Sequence, residues 1–354
     1  MNNTATTGER PGVFTRYDVT SLAAGGTAPK AAGLVAMAGT ATAEPGQPVR
    51  ATRLSDVTAA FGADTDGIVL VQMASVLFQN GAGRLYIIAP ASDSTADYEA
   101  AIAMLEESDD IGVVLTDSTD SAVQGALVAS VTRCSAARKE RLAVIAVPDE
   151  TAAKNTAGSI NSERVLLCCQ SGTANGITAP QYLAAATAAL IAGTSDPAAP
   201  FSGRAIAGIE GVSPAVDDTA INDLVPAGIT LFEMAGGRCE IIRAVTTRTV
   251  TGGVPDRTYL EVNTILVIDH VLRGIRQSLR ARLSGLKNNT ATRSAIATQA
   301  QIELESNRVA AIIDGYEPPR VYAADGDPTA CVVELGFTVV SGLNQIHIAA
   351  HIKV

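Results

Sequence analysis

The sequence predicts an α/β chain, α+β overall: an N-terminal α/β sheet domain, then a C-terminal α+β domain, with extended arms at both ends. Three observations predict it. Short apolar runs bounded by glycine or proline alternate with helical stretches up to about residue 200, and strands alternating with helices at this spacing build a sheet with crossover helices. Past residue 200 the alternation gives way to a hairpin, two long helices and terminal alternating strands. Apolar residues make up 47% and charged residues 18% of the 354 positions, which is enough apolar surface to fill the cores of two or three domains.

The first 28 residues are polar, rich in Thr and Gly, with Pro11-Gly12 inside, and read as an extended arm rather than a domain. Residues 33–39 (GLVAMAG) form a glycine-bounded apolar run, the pattern of a buried strand. Arg53 to Gly62 (RLSDVTAAFG) predicts a short helix capped by Ser55 and stopped by Gly62. A longer helix over Ile68 to Phe78 ends at Asn80-Gly81, and Arg84 to Ala89 is a strand. The alternation continues with a helix over Tyr98 to Glu107, a strand over Ile111 to Leu115, and a helix over Ala122 to Ala137. A strand over Leu142 to Val147 is closed by Pro148. Arg164 to Cys169 is another apolar strand, and Pro180 to Ile191 an Ala-rich helix.

Beyond residue 200, Ile229 to Met234 and Arg238 to Ala244 predict a hairpin around Gly236-Gly237. Thr258 to Leu283 carries the strongest helical signal. There Ile265, Ile268, Leu272, Ile275, Leu279 and Leu283 step by three or four into one stripe, and Asp269 and Arg273 stand four apart as an ion pair. A second helix over about Thr292 to Ile313 is expected to stop at Gly315, with Pro318-Pro319 after it. Two strands follow. Cys331, Val333, Leu335, Phe337 and Val339 share one face of the first; Ile346, Ile348, Ala350, Ile352 and Val354 share one face of the second, after a turn at Ser341-Gly342.

Composition narrows the function. With 26 basic and 36 acidic residues the net charge is −10, which disfavours nucleic-acid binding because phosphate contacts need a basic surface. Aromatic residues are only 4%, with no Trp, which argues against stacking platforms for bases. The five cysteines form an odd set with no CxxC spacing and read as buried, reduced thiols packed as small hydrophobes. The first residues contain no apolar core of a secretion signal, and the longest apolar stretch, around Tyr182 to Gly193, is shorter than the ~20 residues of a spanning helix. The expectation is a protein that stays in the cytoplasm unless the cell opens, with no membrane association of its own.

No catalytic constellation is visible, so no enzyme activity, cofactor or metal is expected. Only three histidines exist. His347 and His351 would lie on the polar side of the last strand about 13 Å apart, too far to share a metal, and His270 reads as a helix-surface residue beside Asp269. Ser171-Gly172 lacks the GxSxG elbow, and Gly81 and Gly83 continue into neither GxGxxG nor a P-loop. The alternative reading is an α/β enzyme or small-ligand binder using the strand ends of the N-terminal sheet. A shell or tube protein is a further structural alternative.

The order of features resembles the tail sheath family of contractile phages, R-type bacteriocins and related injection systems. Pro11-Gly12-Val13 followed by Tyr17 resembles the family's opening motif. The GLVAMAG run, Pro45 and RLSDVTAAFG are similar to its next segment, and Phe78 to Ala89 (FQNGAGRLYIIA) to a following strand. In the middle, Tyr182 to Val212 and Leu224 to Thr247 (LVPAGITLFEMAGGRCEIIRAVTT) carry the likeness. The helix from Tyr259 to Gly285, ending near Asn288-Asn289, and the final strands resemble the family's C-terminal domain. Two departures stand out: Arg257-Thr258-Tyr259 replaces the usual residues before the long helix, and large surface insertions are missing, which suggests a minimal sheath.

The resemblance implies a structural subunit that polymerises around an inner tube and contracts to drive the tube through a target envelope. It divides the chain into an arm at 1–28, an α/β sheath domain at 29–200, a C-terminal sheath core domain at 201–340 and a linking strand at 341–354. It implies a homo-oligomer, helical or in stacked hexameric rings, whose other partners are the inner tube, baseplate and tail terminator proteins, with no nucleic acid. Assembly would take place in the host bacterial cytoplasm, within a phage tail or tail-like particle that is later released. Strand exchange between subunits would run through Pro11, Gly12 and Val13 at one end and Ile346, Ile348, Ile352 and Val354 at the other. The basic residues Arg273, Arg276, Arg280, Arg282 and Lys287 would either form a solvated helix face or face the tube through Arg273, Arg276, Arg280 and Lys287, complementing an acidic partner.

Overall fold

Five apolar runs of the N-terminal half line up in parallel, each long enough for one strand and too apolar to leave either face in water. The computed structural model describes residues 30–39, 43–65, 67–147, 149–282 and 286–344; the expected arm at 1–28 and strand at 346–354 lie outside them. The elements of the first half are β1 (Ala31–Val35), β2 (Val49–Ala51), α1 (Leu54–Phe61), α2 (Leu70–Gln79), β3 (Leu85–Ile88) and α3 (Thr95–Leu105). They continue with β4 (Ile111–Thr116), α4 (Ser121–Ala136), β5 (Leu142–Ala146), α5 (Glu150–Ile160), β6 (Val165–Cys168), β7 (Ser171–Ala174), β8 (Ile177–Ala179) and α6 (Pro180–Gly193). The main sheet has the order β2-β3-β1-β4-β5-β6, with β2 antiparallel to β3 and the other neighbours parallel.

Alternation along the strands sorts their side chains to two cores. Leu34, Val113, Leu115, Leu142, Val144 and Leu166 face one layer, built with α1, α2 and α6. Val35, Val114, Ala143, Ile145, Val165 and Leu167 face the other, built with α3, α4 and α5. Strands covered on both faces read as continuous apolar runs, which is why the sequence exposed them. Helix α6 is buried from Tyr182 to Ala192. Its end presses close to the turn after α2, which needs glycine: a Cβ on Gly193 would stand 2.7 Å from the carbonyl oxygen of Gly81.

The second half holds β9 (Ala205–Ile206), β10 (Gly211–Ser213), α7 (Asp218–Leu224), β11 (Leu231–Ala235), β12 (Arg238–Arg243), β13 (Val250–Thr251) and β14 (Val254–Pro255). Then come α8 (Val262–Arg282), α9 (Thr290–Val309), β15 (Ile313–Ala323) and β16 (Cys331–Val339). The predicted hairpin is β11–β12, turning at Gly236 and Gly237, both with positive φ. It is pinned by Gln170, whose side chain accepts from Phe232 N at 2.8 Å and donates to Phe232 O at 3.0 Å. The edge of β6 is continued by Thr230 and Thr247, whose N–H groups donate to Leu167 O and Val165 O at 2.9 Å each. Phe232 and Ile241 join one core and Leu231 and Val245 the other, so both cores run across the expected boundary at 200/201.

Several expectations need correction. Ser55 does not cap α1: the cap position is Arg53 and makes no side-chain cap, while Asp56 takes Thr52 N at 3.0 Å. Two helices went unread, α5 and α7, although Asp149 and Asp217 cap them by accepting from Ala152 N and Ala220 N at 2.8 Å each. The stripe expected on α8 is rotated. Val262, Ile265 and Leu266 join the large core, while Val267, Val271, Ile275 and Leu279 form a ridge into a third core with Ala300, Leu304 and Ile313.

The second long helix ends at Val309, short of Gly315, and Gly315 and Pro318-Pro319 lie inside β15. The prolines sit where the pairing with β16 shifts register, between Glu317 and Arg320, a position that does not need their missing N–H. The helix is closed by a Schellman turn. Ile312 N bonds Asn307 O at 2.9 Å, Ala311 N bonds Arg308 O at 3.0 Å, and Ala311 sits in the left-handed region at φ 56°. An alanine there conceals the stop, because the usual signal is glycine. Ala311→Gly should therefore raise stability by about 1 kcal/mol, measured by chemical denaturation; a loss would contradict this account of the helix end.

Candidate assembly surfaces

Charged residues stand immediately before the buried strands: Lys30 before β1, Asp110 before β4, Glu140 and Arg141 before β5, and Glu163 and Arg164 before β6. A parallel sheet brings these positions to one edge, and α8 lies against it. Arg164 grips Asp269 with both guanidinium nitrogens at 2.9 Å, the two side chains only 16% and 5% exposed. Glu140 receives Arg273 at 3.1 Å and also Arg276. The pair expected between Asp269 and Arg273 does not form, because each reaches a partner on the sheet edge instead. A two-toothed contact to a carboxylate satisfies both oxygens, whereas an exposed pair along a helix is worth only a few tenths of a kcal/mol.

Of the four cations expected to face the tube, Arg273 and Arg276 are therefore tied to Glu140, and Arg280 and Lys287 are exposed. His270 is half-buried at the joint rather than on an open surface. Burial first, then Lys30 and Arg273, push its imidazole below the ordinary value. Lys30, Glu140 and Arg164 had no place in the sequence reading. A charged residue directly preceding each apolar run was the signal that pointed to them.

The hairpin β15–β16 is the second surface. It packs along α9 through Ile313, Tyr316, Leu335, Phe337 and Val339, so the odd positions of β16 face inward as the alternation predicted. Its turn is held by Asn288, which donates to Pro328 O at 2.8 Å and Ala330 O at 2.9 Å, while the neighbouring Asn289 caps α9 by accepting from Thr292 N at 2.8 Å. Among the described residues β15 and β16 pair only with each other, and no other described strand lies on their outer edges. The described chain ends beside α8: Asn344 accepts from Ser202 Oγ at 2.7 Å and donates to Glu261 at 3.2 Å. The strand-exchange candidates Pro11, Gly12, Val13, Ile346, Ile348, Ile352 and Val354, and the histidines His347 and His351, lie outside the described residues.

A polar knot lies beyond the carboxyl ends of β1 and β4, where α/β enzymes bind ligands. Asp117 accepts from Tyr98 Oη at 2.6 Å and Met37 N at 2.8 Å, and its carbonyl accepts from Gln181 at 2.6 Å. Burial pushes the Asp117 carboxyl up in spite of these bonds. The thiols of Cys168, Cys169 and Cys239 are also buried, which pushes them up to about 12, 11 and 12 and away from the reactive thiolate.

Burial opposes ionisation of Glu140, yet its backbone bond, Arg276 and Arg273 outweigh burial and hold the carboxyl below its ordinary 4.5. A depressed carboxylate stabilises the fold above its unfolded value and loses that contribution as pH falls through the folded one. Glu140→Gln should thus be less stable by about 3 kcal/mol at pH 7, and the deficit should shrink as pH falls below 4.5. A deficit independent of pH, in parallel melts, would contradict the ionic role.

Residues 91–247 match the model of the phage tail sheath protein central domain. No curated protein matches the sequence. Among solved structures, the fold is similar to a sheath tail protein from Desulfitobacterium hafniense, with TM-score 0.75 and 13% identity over 97% of this chain and 100% of that one. It is similar to the contracted helical sheath of the anti-feeding prophage, with TM-score 0.72 and 16% identity over 99% of each chain. The contracted PVC sheath complex of an extracellular contractile injection system gives TM-score 0.70 and 17% identity over 99% of each chain. Residues 91–247 thus carry the likeness to the phage tail sheath central domain, and the chain has the fold of solved sheath proteins over nearly its full length.

Proposed function

We propose that the chain is the structural subunit of a contractile sheath. It polymerises around an inner tube, as a helix or as stacked hexameric rings, and contracts to drive the tube through a target envelope. The observation that carries this reading is the hairpin β15–β16. A two-stranded sheet with open edges is marginal alone, and exposed apolar residues such as Tyr322 and Val332 add to the hazard of unwanted pairing. Strands lent by neighbouring copies would cover those edges, main-chain hydrogen bonds supplying affinity and the alternating side chains register. The alternation of Ile346, Ile348, Ile352 and Val354 suits the C-terminal segment to that role, and Pro11, Gly12 and Val13 belong to the arm that would provide the other strand. The similar chains that form contracted sheaths in the anti-feeding prophage and PVC systems support the same reading.

The tube would be met by the C-terminal domain. Arg280 and Lys287 are the cations of the expected set that remain exposed, while Arg273 and Arg276 hold the α8 joint. Contacts of this kind are weak and salt-sensitive, which suits a tube that must be released. The particle would assemble in the host bacterial cytoplasm with baseplate and terminator proteins and leave as part of a tail or tail-like machine. An enzyme or small-ligand role at the strand ends fits less well, because Asp117, Tyr98 and Gln181 there are engaged with one another.

Deleting residues 1–20 or 344–354 should leave a folded monomer that does not polymerise; normal tubes from either truncation in negative-stain micrographs would sink strand exchange. Reversing charge at Arg280 and Lys287 together should hinder assembly on the tube without lowering the melting temperature of the subunit. Unchanged co-assembly with the tube protein would remove that contact.

A further inference from the structure

The α8 joint carries more positive charge than it neutralises. Lys30, Arg164, Arg273 and Arg276 meet Glu140 and Asp269. The two carboxylates are engaged by three of the four cations, and among the described residues Lys30 makes no hydrogen bond or ion pair with any side chain. Only longer-range attraction to Asp269 and Glu140 acts on it, against repulsion from Arg273 and Arg164. Its position is built rather than accidental. The methylenes of Lys30 lie on Gly112, where a Cβ would stand 2.3 Å from Lys30 Cδ and 2.6 Å from its Cβ. Glycine at 112 is what lets the chain of Lys30 lie flat against β4.

Lys30 borders a cavity of about 40 Å³ that it shares with Gly112, Thr194, Leu266, His270 and Arg273. A single water needs only about 10–15 Å³ of such space. The walls present cationic groups, and the carboxylates of the joint already have partners. A half-buried charge with no close partner among the described residues is unfavourable: burial, and next the Arg273 guanidinium, bring Lys30 down to about 8. A small anion entering here would relieve that cost and tie the residue preceding β1 to α8.

We propose that this cavity is a binding site for a small tetrahedral oxyanion, inorganic phosphate or sulfate, held between Lys30 and Arg273 with His270 at its border. The anion acts as a third ionic link across the joint, beside Arg164–Asp269 and Glu140–Arg273/Arg276. The site is independent of the sheath reading, since it depends on the packing of α8 within one chain.

The test is titration calorimetry of the full chain with sodium phosphate and sodium sulfate, sodium chloride keeping ionic strength constant. Saturable binding of one ion per chain is expected, with a melting temperature that rises with the logarithm of ligand concentration above the dissociation constant. Lys30→Met and Gly112→Ala should each weaken binding about tenfold or more, the loss of one charge-assisted contact. Arg53→Gln, which removes an exposed cation that does not line the cavity (77% exposed), should not change it. Sulfate keeps its charge across the range, so its binding should fall as pH rises past about 8 and Lys30 loses its proton. Circular dichroism identifies any variant that fails to fold, and His270→Gln then takes its place. The proposal is overturned if neither ion binds beyond the chloride control. Binding by a folded Lys30→Met chain within twofold of the original, or an equal loss in Arg53→Gln, would overturn it as well.

Discussion

One helix has to satisfy two cores and a charged edge at the same time. The first turns of α8 place Val262, Ile265 and Leu266 in the large core against the sheet. Its later turns place Val267, Val271, Ile275 and Leu279 in the small core with α9 and the hairpin. A third face carries Asp269, Arg273 and Arg276 to the amino ends of the strands. The helix therefore fixes where the C-terminal unit sits relative to the sheet, and side chains on all its sides become constrained. A buried ion pair adds little net stability over apolar packing, but breaking one is expensive. Such pairs fix geometry more than they add energy.

The hairpin depends on that joint. It is anchored on one face by α9 and by Ile313, Phe337 and Val339, and at its turn by Asn288. With its position set, the edges of the hairpin that no other described strand covers have a fixed direction. Flexible links made of main-chain hydrogen bonds can bend while staying paired, whereas packed cores move as units. The chain combines a two-core sheet and helix body with a small two-stranded sheet on α9. The polar knot of Asp117, Tyr98 and Gln181 ties the ends of β1 and β4 to α3 and α6.

The strands and most helices were legible because their signals are local. A buried parallel strand reads as a short apolar run, and the runs at Ile111–Leu115, Leu142–Val147 and Arg164–Cys169 land within a residue or two of β4, β5 and β6. The end of α9 was not legible, because Ala311 takes a backbone conformation that sequence associates with glycine. The hydrophobic face of α8 was read a fraction of a turn off. Its apolar residues serve two cores that lie in different directions, so a single stripe could not describe them. Of the candidate surfaces, the basic character of α8 was legible, but the distribution of its charges between an internal partner and solvent was not.

The sequence by itself determined the elements, their order and the class of fold, because periodicity and turn chemistry act within a few residues. The ordered likeness to sheath proteins was legible at the same level. Tertiary structure alone decided which charges are tied and which are free. Arg164 meets Asp269 across 105 positions and Glu140 meets Arg273 across 133. No local pattern encodes such partners: a salt bridge needs its two groups within 4 Å, and only folding the sheet brings the amino ends of its strands beneath one helix.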